Sequence, residues 1–428
     1  MSEVKLVERV EGHVGLDIDL ESKEEGGVKF GIAEGPRLFE KMMEGRKYDE
    51  VPFFVSRICG FCPIVHNLGA IKALEGAMGI EANEVVSRFR RALNLMEFVQ
   101  SHSAHLYVLT LPDLAGDKAD LFSLKSEFPE EVKKAVRMRM DINSMIETLG
   151  GRIVHPLSTR VGGFSKLPNE GELEEGIEKL DGMMPVAEET VDLIAGLDYP
   201  DLDMGTNCLS LGRDDDRYPT YEGYVITSNG KKFEVDDYSE VINEETRFYS
   251  TAKYSSIDGE PYLTGAISRM NLNKDSLCGR ARSKLKDMDI EFPSTNPYHN
   301  NVAQAIEIVN SLEEIKEIYS WALSEDLGSG ELKGREMKGE SDIKVEAGSS
   351  ADAVEAPRGT LFHYYEVDDD GYISDADIIT PTAQSANNIE RDINILFSKL
   401  GDLSRAEIRK RIKALIRAYD PCISCSVH

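Results

Sequence analysis

Asp420-Pro421-Cys422-Ile423-Ser424-Cys425-Ser426-Val427-His428 are the last nine residues of the sequence. Two thiols at Cys-x-x-Cys spacing follow a helix-patterned run, and a histidine stands three positions beyond the second. Another pair lies near the front, in Arg57-Ile58-Cys59-Gly60-Phe61-Cys62, with His66 four residues past it. A Cys-x-x-Cys loop aims two sulfurs at one centre, so two such loops make a four-thiolate site for a soft or borderline metal. Building it requires the fold to bring the two ends of the chain together. Spacing does not name the metal. A dithiol redox couple needs only one pair. A structural zinc site is the stronger rival, yet zinc ribbons hold their pairs close in sequence because the metal replaces a core too small to stand alone. At 428 residues this chain needs no such staple, which favours a catalytic metal.

The formal charge of −28 argues against nucleic acid or an anionic membrane as main partner and reads first as a solvated acidic surface. The sequence has no apolar run of about 18 residues, the length that would suggest a transmembrane helix. Met1-Ser2-Glu3-Val4-Lys5 has no signal-peptide pattern. Six cysteines in so long a chain do not make a secreted disulfide framework. The expected compartment is the cytoplasm.

Outward from the cysteines, Val14, Leu16, Ile18 and Leu20 alternate with polar residues or glycine, which predicts a strand. Glu25-Gly26-Gly27 turns it toward a second strand through Val28, Phe30 and Ile32. Gly35-Pro36-Arg37 breaks the pattern before a short helix over 38–44. Helical spacing then predicts helices from Asn83 to about Tyr107, Pro129 to about Leu149, Glu172 to Leu197 and over 300–325. Strands are expected between Tyr218 and Val235, turning at Asn229-Gly230, and again from Gly359 to Ile379. Residues 324–355 read as a polar surface excursion. Gly328-Ser329-Gly330 with Gly334 has the wrong spacing for a dinucleotide loop. The last helix opens with a capping box, Ser404 and Glu407, and carries the stripe Ile408, Ile412, Leu415, Ile416 and Tyr419 until Pro421 stops it. The expected fold is mainly α with peripheral β-hairpins, as one domain over 1–428.

Arg57-x-Cys-Gly-x-Cys-x-x-x-His66 together with Asp420-Pro-Cys-x-x-Cys-x-x-His428 resembles the two signature motifs of the nickel–iron hydrogenase large subunit. The resemblance runs from Arg9-Val-Glu-Gly-His13 to the end and includes Ser101-His-Ser-Ala-His105, Leu111-Pro-Asp113 and Glu355-Ala-Pro-Arg-Gly359. Gly163 to Pro168, Gly265 to Arg269 and the final Cys-Ile-Ser-Cys-Ser-Val-His look most like the cytoplasmic, bidirectional, NAD(P)-linked branch. The related complex I subunit has lost the metal, and the retained cysteines argue against it.

The resemblance implies reversible heterolytic cleavage of dihydrogen. It makes Cys59 and Cys422 terminal nickel ligands, and Cys62 and Cys425 bridges to an iron bearing carbon monoxide and cyanide. Glu11 matches the family's proton-transfer glutamate. Arg358 matches the arginine over the open metal position, with Asp113 and Asp420 expected to hold it. His66 would hydrogen-bond a bridging thiolate and Thr382 an iron cyanide. Glu40, the Ile378 carbonyl and His428 match a magnesium site. For His13, His102 and His105 a structural role is expected. The two spare cysteines, Cys208 and Cys278, are too few for an iron–sulfur cluster, so electrons should leave through an iron–sulfur small subunit, with flavin, NAD(P)- or ferredoxin-linked subunits beyond it. The resemblance also implies that a short extension after His428 is removed once the metal is loaded. The alternative reading is a zinc-stapled structural or assembly subunit of a redox complex.

Overall fold

The computed structural model describes residues 3–18, 27–114, 128–325, 343–401 and 403–428. The Leu20 end of the first expected strand, its Glu25-Gly26 turn and the Gly328-to-Gly334 stretch lie outside the described residues.

Four long helices, Glu84–Ala104, Pro129–Gly150, Glu170–Ala195 and His299–Ser324, pack on one another. Their starts are set locally. The Asn83 side chain accepts the Val86 N–H at 2.9 Å, Asn169 and Glu172 form a reciprocal capping box, and Pro129 takes a first-turn position that needs no N–H partner. Where the sequence predicts one helix to Tyr107, the chain widens into a π-helical turn over His105–Thr110. There His105 bonds Gln304 through Nδ1 and the Arg417 carbonyl through Nε2.

Two buried helices went unread. Nearly every residue of Pro63–Ala77 is buried, His66, Asn67 and Glu75 included, so no amphipathic stripe marks it. Pro381–Lys399 does carry a buried stripe, Ala383, Ala386, Ile389, Ile393 and Leu396, with Thr382, Gln384, Ser385, Asn388 and Asp392 buried beside it.

Near the front, Glu3–Leu6, Val14–Ile18 and Val28–Ile32 form an antiparallel sheet; its first strand was not expected. A second antiparallel sheet joins Gly348–Ala356, Gly359–Val367 and Ile373–Ile379. The polar excursion therefore stops short of 348: Ala353, Val354 and Glu355 are buried strand residues. The hairpin of Tyr224–Thr227 and Lys232–Phe233 turns at the expected place and belongs to a four-stranded sheet with Asn207–Gly212 and Tyr262–Leu263. One large apolar cluster takes in the long helices and all four paired cysteines, and a smaller one gathers around Leu209, Val225 and Phe362.

The final helix, Arg405–Ala418, buries Ile408, Ile412, Leu415 and Ile416 behind its capping box. Asp420 then adopts a left-handed φ of 52°, which ends the helix before Pro421, and a single helical turn resumes only at Ile423–Ser426. This break turns Cys422 inward.

Candidate metal centre

Cys59 and Cys62 sit between a short 3-10 turn, Ser56–Ile58, and the Pro63–Ala77 helix. The buried Glu97 carboxylate accepts the Ile64 and Val65 N–H groups at 2.8 and 3.1 Å, tying down the first turn beyond Cys62. Burial pushes Glu97 up to about 8, against the pull of those two N–H bonds. On the other side, the Cys422 N–H donates to Thr382 Oγ1 at 2.9 Å. Arg37 clasps both loops: its Nη2 donates to the Ile58 carbonyl at 2.7 Å and to the Ser424 carbonyl.

The four sulfurs lie within 4.8 Å of one another and all are buried. Cys59 Sγ is 3.1 Å from Cys422 Sγ, Cys62 Sγ is 3.0 Å from Cys425 Sγ, and all four cysteines are free. A hydrogen bond from Cys422 holds the Cys59 thiol well below its ordinary range, whereas burial pushes Cys422 well above it and Cys425 up to about 12. Four such sulfurs cannot all ionise unless a cation joins them, and a bound metal deprotonates its thiols outright. Beside them lies a cavity of about 10 Å³, room for one water-sized molecule, lined among others by Cys62, Cys422, Cys425, His66, Arg358 and Thr382. His66 Nε2 is buried with no hydrogen-bond partner among the described residues. A polar atom left bare at a four-sulfur cluster is what a soft metal group with polar ligands would complete.

Arg358 is fixed by Asp420, through Nε to the backbone carbonyl at 2.8 Å and Nη2 to Oδ1 at 2.9 Å. Burial works against its charge, but Asp420 and the nearby cysteines outweigh burial and raise its basicity well above the ordinary value, so it stays a cation at the cavity wall. Asp113 does not share this task, contrary to the expectation. Its carboxylate is taken by Arg417, with Nη2 at 2.9 Å, and by Arg9. Asp420 offers Arg358 both a carboxylate and a carbonyl, which leaves Asp113 to tie the Arg9 segment to the last helix.

That tie matters for Glu11. Its backbone bridges to Cys422, and the Ile423 N–H donates to the Glu11 carbonyl at 3.0 Å. Gly12, at φ 81°, permits the approach: a Cβ there would meet Ile423 Cβ at 2.7 Å. Glu11 Oε2 lies 3.2 Å from Cys422 Sγ and accepts the Ser424 N–H at 2.9 Å. Ser424 Oγ is 2.5 Å from Glu11 Oε1 and 3.4 Å from Glu34 Oε2, and Glu34 Oε1 is 2.9 Å from His13 Nδ1. His13 has a side chain 72% exposed, so a polar line runs from a cysteine sulfur to water.

At the C-terminus, His428 Nε2 lies 2.6 Å from the Ile378 carbonyl oxygen and 3.5 Å from Glu40 Oε1. Burial raises Glu40, but the His428 contact outweighs it, and the carboxyl is held down to about 2. Lys253 Nζ stands 3.5 Å from the same oxygen. His102 bonds Glu307 at 2.8 Å within the buried core.

The Nickel-dependent hydrogenase family matches residues 37–120 and 214–428, spans that include both cysteine pairs. The alpha subunit of sulfhydrogenase 1 from Pyrococcus furiosus is 34% identical over 423 residues, covering 99% of this chain and 96% of that one. The chain belongs to the nickel-dependent hydrogenase family. The alpha subunit of sulfhydrogenase 2 from the same organism is another relative, 33% identical over 98% of this chain and 97% of its own. A crystal structure of an NAD+-reducing [NiFe]-hydrogenase in the H2-reduced state superposes with a TM-score of 0.87 at 26% identity, covering 100% of this chain and 99% of that one. The hydrogenase fold thus accounts for the helical layers and small sheets, and this chain is an oxidoreductase acting on dihydrogen.

Several residues of the site had escaped the sequence reading. Ser424 could have been found, since it is a hydroxyl inside a ligand loop. Glu34, Glu97 and Arg37 carry no local signal; only the folded chain brings them to the cysteines.

Proposed function

We propose that Cys59 and Cys422 bind nickel as terminal ligands, that Cys62 and Cys425 bridge nickel to iron, and that iron carries carbon monoxide and cyanide. The donor set suits this: soft thiolates select nickel and low-spin iron, and Thr382 and the bare His66 Nε2 are polar groups for the ligands around them. When bound, that centre supplies an open, soft coordination position at which dihydrogen is polarised and split. Arg358 keeps a fixed positive charge over that position, pre-aimed by Asp420. The Cys422 sulfur hands the released proton to Glu11 Oε2 across 3.2 Å. Ser424 relays it to Glu34, and His13 passes it to water. The Glu11 contact with Cys422 is the observation that carries this reading.

Glu40, the Ile378 carbonyl and His428 form the magnesium site in this proposal, with the cation displacing Lys253 from the Glu40 oxygen. Electrons pass to an iron–sulfur partner, which docks where Phe61, Val154 and Leu157 expose apolar surface near the first cysteine loop, and flavin, NAD(P)- or ferredoxin-linked subunits carry them onward.

Glu11→Gln tests the proton route. The amide preserves shape and hydrogen bonding but cannot carry a proton, so dihydrogen-dependent dye reduction should fall by about 10²–10⁴-fold with nickel and iron retained. Turnover within about threefold of wild type, a barrier change well under 1 kcal/mol, would mean that protons leave another way.

A further inference from the structure

His66 projects from the Pro63–Ala77 helix, and its Nδ1 is 3.3 Å from Nε2 of His363. His363 lies on the Gly359–Val367 strand, and its Nδ1 is 2.8 Å from the hydroxyl of Tyr365, two residues on along the same strand face. All three side chains are buried. Gly69, three residues after His66 on the same helix, makes room for this line: a Cβ there would stand 2.8 Å from His363 Cδ2. The line ends at His66 Nε2, which has no partner among the described residues and belongs to a residue lining the cysteine cavity.

We infer that Tyr365 and His363 are positioning residues that lock the tautomer of His66, so that an N–H rather than a lone pair faces the cysteine sulfurs. Two arguments fix the direction. The Tyr365 hydroxyl has His363 as its hydrogen-bond partner among the described residues, and a buried O–H with one acceptor donates to it. His363 Nδ1 then accepts, so its proton sits on Nε2 and donates to His66 Nδ1, leaving the His66 proton on Nε2. Run the other way, the line would leave the Tyr365 O–H unpaired and aim a lone pair at anionic sulfur. Both rings are buried, where an unpaired imidazolium is costly, and one ring nitrogen must accept the bond between them, so each neutral ring has one N–H to place. The hydroxyl of Tyr365 thereby sets the polarity of a donor two rings away.

The inference rests on the nickel–iron reading above, and its test separates the two. An N–H donated to a thiolate withdraws electron density from the sulfur and from the iron it bridges, so losing it should move the iron carbonyl infrared band to lower wavenumber. Tyr365→Phe, in the metal-loaded hydrogenase complex, should keep its nickel and iron, lower that band, and turn the nitrogen-15 signal of one histidine from a single Nε2–H tautomer into a mixture. Gly69→Ala, which displaces His363 from its other side, should shift the band in the same direction. A Tyr365→Phe complex whose carbonyl band and histidine shifts superimpose on wild type would overturn the lock. A wild-type complex without carbonyl and cyanide bands would instead overturn the metal reading, while the histidine shifts would still decide the tautomer.

Discussion

Replacing Arg269 by methionine should cripple the fold from its centre. The guanidinium is fully buried and uses all of its N–H groups. Nε and Nη2 grip Glu307 at 2.6 and 2.8 Å, Nη1 reaches Glu355 at 2.9 Å, and the remaining N–H groups donate to the carbonyls of Ala356 and Pro357 at 2.9 and 3.0 Å. Methionine fills similar space but takes the guanidinium from two buried carboxylates, leaving Glu307 with His102 and the Tyr218 hydroxyl. Removing one partner of a buried pair costs about 3–5 kcal/mol. Glu355 softens the loss, because burial already raises its pKa and lets it take up a proton. The expected destabilisation is therefore about 4 kcal/mol in urea unfolding. Arg269→Lys restores the charge but not the fork, leaving acceptors bare at about 1–3 kcal/mol each. Because Ala356 and Pro357 lead directly into Arg358, the lysine variant should also lose turnover out of proportion to its stability. A methionine variant destabilised by less than about 1 kcal/mol, with normal turnover, would refute the reasoning.

Cys425→Ser should prevent stable assembly of the metal centre, read as nickel and iron content; full nickel with normal activity would sink the ligand assignment. Acid should release stability through Glu307, which burial raises but Arg269 more than compensates, holding it at about 2 against an ordinary 4.5. A depressed carboxyl contributes fully above its unfolded pKa, and that contribution, about 3 kcal/mol at 1.36 per unit, disappears as pH falls from about 4.5 toward 2. The acid-side loss should shrink in Arg269→Met, and equal acid sensitivity in the two proteins would contradict it.

The cysteine pairs were legible because their information is local: two residues at fixed spacing, a proline that stops a helix, a capping box that starts one. The same holds for Asn83, Pro129 and the hairpin turn at Asn229-Gly230. What stayed hidden depends on burial. The Pro63–Ala77 helix shows no stripe because nearly every side faces protein; the stripe of Pro381–Lys399, by contrast, is legible in Ala383, Ala386, Ile389, Ile393 and Leu396. The resemblance implies that Asp113 holds Arg358, yet which arginine a carboxylate meets is settled by how the last helix lands, and Arg417 lands on it. Residues 348–355 differ from the expected polar excursion because Ser349, Ser350 and Asp352 have the composition of a loop, although Ala351 and Ala353 between them face the core of a strand.

Metal analysis with infrared spectroscopy on one purified sample tests the central claim most directly. The account predicts nickel and iron near one each per chain, magnesium besides, and infrared bands from carbon monoxide and cyanide. Zinc alone, filling the four thiolates with no such bands, would contradict it and return the chain to a stapled structural role.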